Sequence, residues 1–334
     1  MNSREPLVLT SPSNPRLKQI AKLRQRSHRD SEGALLVEGY RELKRAIDNG
    51  WKPHTVVTCP ELWLGKHEPA LVARCTEAGA LHLQVAPTAF EKISARDRPD
   101  GLVAVGPQLH RTLESLDLPP DALVVVAESI EKPGNLGTIL RSADAAGAAA
   151  VIVCDRCTDV QNPNVVRASV GTLFTVPVVE TSTAEALAFL HERSFRILAS
   201  TPHAEAFYTD YDLTGPTAVV VGAEQVGLKD DWLESPDCST VRIPMLGQCD
   251  SLNVASATTI LLYEVVRQRV AKNRSIVPPP ARHEHGGDDP HVDARHAAVH
   301  RLESAALRRS FTRTISGGQL RRSGAPQAPT PVVV

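Results

Sequence analysis

The chain has 334 residues, enough for two domains or for one large domain with extensions. With 42% hydrophobic and 22% charged residues it can bury a substantial core, built mainly from Val, Leu, Ile and Ala because aromatics reach only 4%. No apolar run approaches the ~20 residues that span a bilayer, whereas a net charge of -1 neither suggests nor excludes a nucleic-acid partner, because the distribution of charge matters more than its sum.

Composition divides the chain into residues 1–108, a linker at 109–120 ending in Pro119-Pro120, an alternating region at 121–271 and a tail at 272–334. The first region opens with a basic stretch holding Arg16, Lys18, Lys22, Arg24, Arg26 and Arg29. Asn14-Pro15 predicts a helix start, with Pro in the first turn, and Leu17, Ile20, Ala21 and Leu23 supply its apolar stripe. Its outward cations read equally as a solvated face or as a contact for RNA phosphates. Ala34 to Gly39 reads as a short strand, and Tyr40 to Asn49 as a helix closed by Gly50.

The third region reads as successive α/β units. Strands are predicted at Leu123 to Ala127, Val151 to Cys154, Val176 to Val179, Ile197 to Ser200, Ala218 to Val221 and Val241 to Ile243. Helices are predicted at Leu136 to Ala146, Asn164 to Leu173 and Asn253 to Arg269. Continuous β-branched runs of this kind suit a parallel sheet covered on both faces. The six cysteines are scattered, with no secretory signal before them, which places the chain in a reducing cytoplasm. Cys154 and Cys157 form a lone CxxC without a second ligand pair, so they read as ordinary strand-end cysteines. In the tail His283, His285, His291, His296 and His300 are irregularly spaced and read as part of a disordered, low-complexity segment rather than a metal site. Arg308, Arg309, Arg313, Arg321 and Arg322 there would add non-specific RNA affinity.

Three loops carry more chemistry than a turn requires. The first, Glu131-Lys132-Pro133-Gly134-Asn135-Leu136-Gly137-Thr138-Ile139-Leu140-Arg141, joins a strand to a helix where open α/β sheets bind ligands. Asn135 suits the helix N-cap, and Arg141 follows nearly two turns later. Gly134 and Gly137 do not make a G-x-G-x-x-G fingerprint, which counts against a nucleotide-dependent oxidoreductase. In the second, Val220-Val221-Gly222-Ala223-Glu224-Gln225-Val226-Gly227-Leu228, a glycine at a strand end permits close backbone approach to a ligand. Glu224 follows it, placed to meet a cationic or hydroxyl-bearing group. The third, Ile243-Pro244-Met245-Leu246-Gly247-Gln248-Cys249-Asp250-Ser251-Leu252-Asn253, crowds polar residues at the start of an otherwise apolar helix, with Ser251 or Asp250 able to cap it.

Together these loops resemble the three signature motifs of the SpoU (TrmH-like) RNA ribose methyltransferases, across about residues 121 to 271. Ser11-Pro12-Ser13-Asn14-Pro15, Leu36-Val37-Glu38-Gly39 and Arg98-Pro99-Asp100-Gly101-Leu102 resemble that family's substrate-binding domain. The resemblance implies a small α/β substrate-binding domain followed by a parallel-sheet methyltransferase domain of the SPOUT type. That domain would be tied in a trefoil knot, a known exception to the rule that chains do not thread. It implies a homodimer that takes S-adenosylmethionine as cofactor and methylates an RNA ribose 2′-hydroxyl. Ribosomal RNA is favoured, 23S first, because minimal transfer-RNA enzymes of the family lack the extra domain. A transfer-RNA enzyme and an inactive RNA- or ribosome-binding relative are the alternatives. Carried over by motif, Arg141, Asn135, Glu224, Ser251 and Asn253 would form the catalytic group. Ser200, Gly222, Ile243 and Leu252 would hold the cofactor, and no metal is required. The family's proposed base is the arginine. A guanidinium rarely loses its proton, so the alternative role for Arg141 is to orient a phosphate and stabilise negative charge. Ala255 stands where a serine is expected, and Gln225-Val226 is a bulky pair for the second motif.

Overall fold

The computed structural model describes residues 5–272, and the readings made for the tail beyond them lie outside the described residues. The N-terminal part runs β1 (Leu7–Leu9), α1 (Pro15–Lys22), α2 (Arg26–Glu32), β2 (Ala34–Glu38), α3 (Tyr40–Asp48), β3 (Thr55–Thr58), α4 (Glu68–Glu77), β4 (Leu81–Val85), α5 (Pro87–Ile93) and β5 (Leu102–Pro107). Its sheet has the order β1-β4-β3-β5-β2, with β5 antiparallel to β2 and β3 and the remaining pairs parallel. Asn14 caps α1 as predicted, accepting the Arg16 N–H at 2.9 Å, with Pro15 at the first helical position. Leu17, Ile20 and Leu23 pack against Leu36, Val57 and Phe90, which turns Arg16, Lys18, Lys22 and Arg24 to solvent.

The second part runs β6 (Leu123–Glu128), α6 (Pro133–Ala145), β7 (Ala150–Cys154), α7 (Pro163–Ala168), β8 (Val178–Thr181), α8 (Thr183–Glu192), β9 (Arg196–Ser200), β10 (Thr217–Val221), α9 (Asp230–Leu233), β11 (Cys238–Val241) and α10 (Val254–Lys272). The strands form a six-stranded sheet in the order β11-β9-β10-β6-β7-β8, every pair parallel. Every residue of β6, β7 and β10 is buried. These strands therefore read as unbroken apolar runs rather than alternating ones. The chain steps outward from β6 to β8, then crosses to β9 and returns with β10 beside β6. A switch point in strand order thus lies between β6 and β10, and at the carboxyl ends of such strands open α/β sheets form a binding crevice.

Several element ends differ from the sequence reading, each for a local reason. Helix α6 begins at Pro133, with Lys132 rather than Asn135 in the cap position, because a proline's fixed φ suits a first helical residue. Helix α7 stops at Ala168 instead of reaching Leu173, since Val170 (φ 54°) and Gly171 (φ 79°) are left-handed. Strand β8 starts two residues late, after Pro177, which has no N–H to give a ladder. Strand β11 lies at Cys238–Val241, earlier than the predicted Val241 to Ile243. The stretch read as a linker packs down, with Leu113 and Leu116 buried among Val124, Phe189 and Trp232.

Both sheets belong to one compact unit. Arg29, 1% exposed, donates to the Leu23 and Arg24 carbonyls at 2.8 and 2.9 Å and pairs with Asp159 across the boundary. Trp51 meets Phe174 with ring centroids 5.5 Å apart, and Leu109 exchanges hydrogen bonds of 2.8 and 3.0 Å with the Gln161 amide. Among the described residues no helix is long and apolar enough to cross a membrane.

Candidate active site

The site is built where the loops after β6, β9, β10 and β11 converge. After β10 the chain turns sharply: Ala223 and Gly227 exchange backbone hydrogen bonds at 3.1 and 3.0 Å, and Gly227 takes a left-handed φ of 71°. A Cβ on Gly222 would overlap the Gly227 carbonyl, so this turn closes only with glycine there. Glu224 therefore stands at the tip of a small closed loop. Gly137 has a different task. A Cβ there would overlap the Ala168 Cβ and lie 2.8 Å from the Ser169 nitrogen, so its absence lets α6 lie directly on α7.

Glu224 gathers the other two motif loops. Its Oε1 accepts from Asn135 Nδ2 at 2.9 Å and from Asn253 Nδ2 at 2.8 Å, while Oε2 pairs with Lys132. Asn253 Nδ2 also donates to Asn135 Oδ1 at 3.1 Å, closing a triangle of two carboxamides and one carboxylate. The cap of α10 is Asn253, not Ser251 or Asp250: its Oδ1 accepts the Ala255 N–H at 3.0 Å and its carbonyl the Ala257 N–H at 3.0 Å. That capping bond fixes which end of the Asn253 amide faces Glu224. The helix start and the cluster thus specify one another. Asn135, displaced from the cap to the third residue of α6, has its side chain free for the same cluster. The Glu224 carboxyl is held below its ordinary value of 4.5, chiefly by the hydrogen bond from Lys132, then by that from Asn135. Lys132 is correspondingly raised by the Glu224 hydrogen bond and charge.

Beside this cluster lies a cleft of about 450 Å³ lined by Ser200, Gly222, Glu224, Ile243, Ser251 and Leu252. The volume is in the range of small-molecule sites. Backbone at the Gly222–Gly227 turn on one side and the apolar Ile243 and Leu252 on the other suit a flat heteroaromatic base. Polar atoms of Ser200 and Ser251 stand at its edge. These residues fit an adenosyl cofactor. Among the described residues no group of three His, Cys, Asp or Glu side chains is arranged to hold a metal ion.

The structure thus brings Ser200, Gly222, Ile243, Leu252, Ser251 and Glu224 to one cleft, with Asn135 and Asn253 joined to it through Glu224. Arg141 is not brought there. It is exposed on α6 and, among the described residues, makes no hydrogen bond or ion pair. Two participants escaped the sequence reading. Lys132, quoted within the first motif loop, has no role of its own in the sequence reading, although it pairs with Glu224 92 residues away. Glu128 ends the apolar run of β6, and the signal was its acidity at the close of an otherwise apolar strand.

The SpoU rRNA Methylase family model matches residues 122–263 and the MRM3-like substrate binding domain model residues 14–104. A 23S rRNA (uridine(2479)-2′-O)-methyltransferase of Streptomyces viridochromogenes is 33% identical over 265 residues, covering 77% of this chain and 91% of that protein. A crystal structure of an RNA 2′-O ribose methyltransferase superposes with a TM-score of 0.68 at 43% identity, covering 79% of this chain and all of the other, 100%. The AdoMet-bound rRNA methyltransferase of Sinorhizobium meliloti superposes with a TM-score of 0.72 at 30% identity, covering 81% and 98% of the two chains. The chain belongs to the SpoU rRNA methylase family of S-adenosylmethionine-dependent RNA ribose 2′-O-methyltransferases.

Proposed function

We propose that this enzyme methylates a ribose 2′-hydroxyl of ribosomal RNA, in the 23S molecule, in the cytoplasm and as a knotted homodimer. The observation that carries the reaction is the Asn135–Glu224–Asn253 triangle beside the Gly222–Leu252 cleft. The ribosomal target is supported by a 23S-modifying relative whose similarity spans 91% of its length, and by the match of residues 14–104 to a substrate-binding domain model.

Ser200, Gly222, Ile243 and Leu252 would hold S-adenosylmethionine, which when bound would supply the methyl group. A ribose hydroxyl is a weak nucleophile and would have to shed its proton to bulk water as its oxygen takes the methyl carbon, the C–S bond breaking with its electron pair left on sulfur. Asn135, Asn253 and Ser251 present carboxamide and hydroxyl groups that can hold the sugar. Glu224, kept ionised by Lys132, fixes the two asparagines and is a poor proton acceptor for the same reason. Arg141 offers five donors and an undivided charge to a nucleotide phosphate and to negative charge developing on the attacking oxygen.

A homodimer supplies what a single chain lacks. Arg141 lies away from its own cleft, on a helix packed against α10. Helix α10 exposes Ile260, Tyr263 and Val270 at helical spacing. An apolar stripe of this kind, beside an arginine that has no partner among the described residues, suits a two-fold interface through which each subunit lends Arg141 to its partner. The test is transfer of labelled methyl from S-adenosylmethionine to total RNA, with the product digested and mapped. Label as a 2′-O-methylnucleoside in 23S RNA is expected. Label confined to transfer RNA, or cofactor binding without label in naked RNA or ribosomal subunits, overturns the assignment.

A further inference from the structure

We infer that Glu128 is a positioning residue for the cofactor cleft, fastening the loop that carries Glu224 to the loop that carries Lys132 and Asn135. Glu128 is the last residue of β6 and only 1% exposed. Its Oε2 accepts the Lys229 backbone N–H at 2.9 Å, and its Oε1 accepts from the Thr183 hydroxyl at 2.6 Å and the Trp232 indole N–H at 3.1 Å. Lys229 immediately follows the Gly222–Leu228 loop. The near end of that loop is set by β10, and the backbone at its far end is held by this carboxylate. Ser129, the next residue after Glu128, opens the loop to Asn135 in a left-handed conformation (φ 52°), as does Asp155 (φ 44°) at the end of neighbouring β7. Such backbone persists where its surroundings over-determine it. Here Ser129 N–H donates to the Cys154 carbonyl at 3.0 Å, and Ser129 Oγ to the Asp155 carbonyl at 3.2 Å. Asp155 Oδ2 lies 2.8 Å from Thr183 Oγ1, sharing its single hydroxyl proton with Glu128, and Asp155 pairs with Lys229 Nζ. The two loops that meet at Glu224 therefore depart from one cluster of hydrogen bonds; Asp155 reaches both through the Lys229 side chain, and Glu128 does so through the Lys229 backbone.

A carboxylate offers two oxygens to these three donors, whereas a carboxamide offers one oxygen and adds hydrogens of its own. Glu128→Gln must leave at least one buried donor facing another donor. Placement of Gly222 and Glu224 along the cleft then loosens without the loss of any group that touches the cofactor.

The inference rests on the reading of the Gly222–Leu252 cleft as the cofactor site, and the experiment separates the two. S-adenosylmethionine is titrated calorimetrically into the full chain, without RNA, for wild type, Glu128→Gln, Trp232→Phe and Leu252→Arg. Melting temperatures are measured alongside. Expected is a Kd about tenfold weaker for Glu128→Gln, from a hydrogen bond to a charged group. Trp232→Phe, which removes one donor and keeps the Lys229 bond, should weaken it only about two- to threefold even if its melting temperature falls as far. Leu252→Arg, which blocks the cleft without touching Glu128, should abolish binding. If Leu252→Arg leaves the Kd unchanged, the cleft reading fails and the inference with it. If Leu252→Arg abolishes binding but Glu128→Gln binds like wild type, Glu128 is a structural residue only. Should Glu128→Gln not fold, Trp232→Phe decides: a Kd at least twofold weaker at a temperature where it is fully folded sustains the tie, and an unchanged Kd overturns it.

Discussion

The two ends of helix α6 make different use of their polar residues. At its start Asn135 is held in a closed set of hydrogen bonds with Glu224 and Asn253, and Lys132 completes the set with an ion pair. Two turns on, Arg141 is exposed and touches no acceptor among the described residues. Groups that satisfy each other within one chain are organised before any ligand arrives. A lone guanidinium is organised only by what binds it. The contrast suggests a division of work, in which one end shapes a cofactor and sugar site and the other waits for phosphate and for a second subunit.

Removing Arg141 should break the comparison most sharply. Arg141→Ala is expected to lower turnover about 10²–10³-fold, the cost of losing one donor to developing charge. The melting temperature and the cofactor Kd should not move, since the side chain is exposed and makes no hydrogen bond or ion pair among the described residues. A matching loss of stability would show that the residue is structural. If Arg141 serves the partner's cleft, an Arg141→Ala subunit and a Glu224→Ala subunit, each inactive alone, should complement when co-expressed with separate tags. Random pairing makes half the dimers mixed, each with one intact site, so roughly a quarter of wild-type activity should return. Continued inactivity of the purified mixed dimer would place Arg141 in its own subunit's site.

The tied end was only partly legible in the sequence. Strands such as Val124–Val126 and Val219–Val221 could be read because their residue types admit little else than a buried parallel sheet. The three motif loops could be read because Gly222, Glu224, Asn135 and Asn253 are more polar or more permissive than plain turns need. What could not be read was which polar residue does which task. Asp250, Ser251 and Asn253 all cap helices well, and the choice among them is made by Glu224, which holds the Asn253 amide from across the sheet. Asn135 likewise leaves the cap because Pro133 starts the helix earlier. Lys132 and Glu128 act over separations of 92 and 101 residues, on Glu224 and the Lys229 backbone respectively, and no local pattern announces such pairings. Arg29 is the reverse case: it reads as one more surface cation, yet its burial against Leu23, Arg24 and Asp159 makes it part of the boundary between the two sheets.

Glu224→Gln sharpens the comparison from the other side. The amide keeps one oxygen for the asparagines but loses the charge that draws Lys132 in, and its own hydrogens face donors. Turnover should fall roughly tenfold through misplacement of Asn135 and Asn253. The melting temperature should change little, because exposed ion pairs contribute little to folding. A variant with wild-type turnover would mean that the triangle organises the loops without serving the reaction.

The smallest effect expected is on the pH dependence of cofactor binding, and its sign follows from Glu224. The folded-state pKa of this carboxyl lies below the ordinary 4.5, first because Lys132 hydrogen-bonds it and then because Asn135 does. A depressed carboxylate contributes stability that is fully present above its unfolded-state pKa and is lost as pH falls through the lower, folded value. Lys132 is raised above its ordinary 10.5, so the pair does not come apart on the alkaline side before that point. The calorimetric Kd for S-adenosylmethionine should therefore be flat from pH 8 down to about pH 5 and weaken only below the ordinary carboxylate range. Glu224→Gln has no proton to gain there, so its acid limb should be absent or shifted to another group. A wild-type Kd that already weakens between pH 7 and pH 5 would point to a different titrating group and detach Glu224 from the control of the cleft.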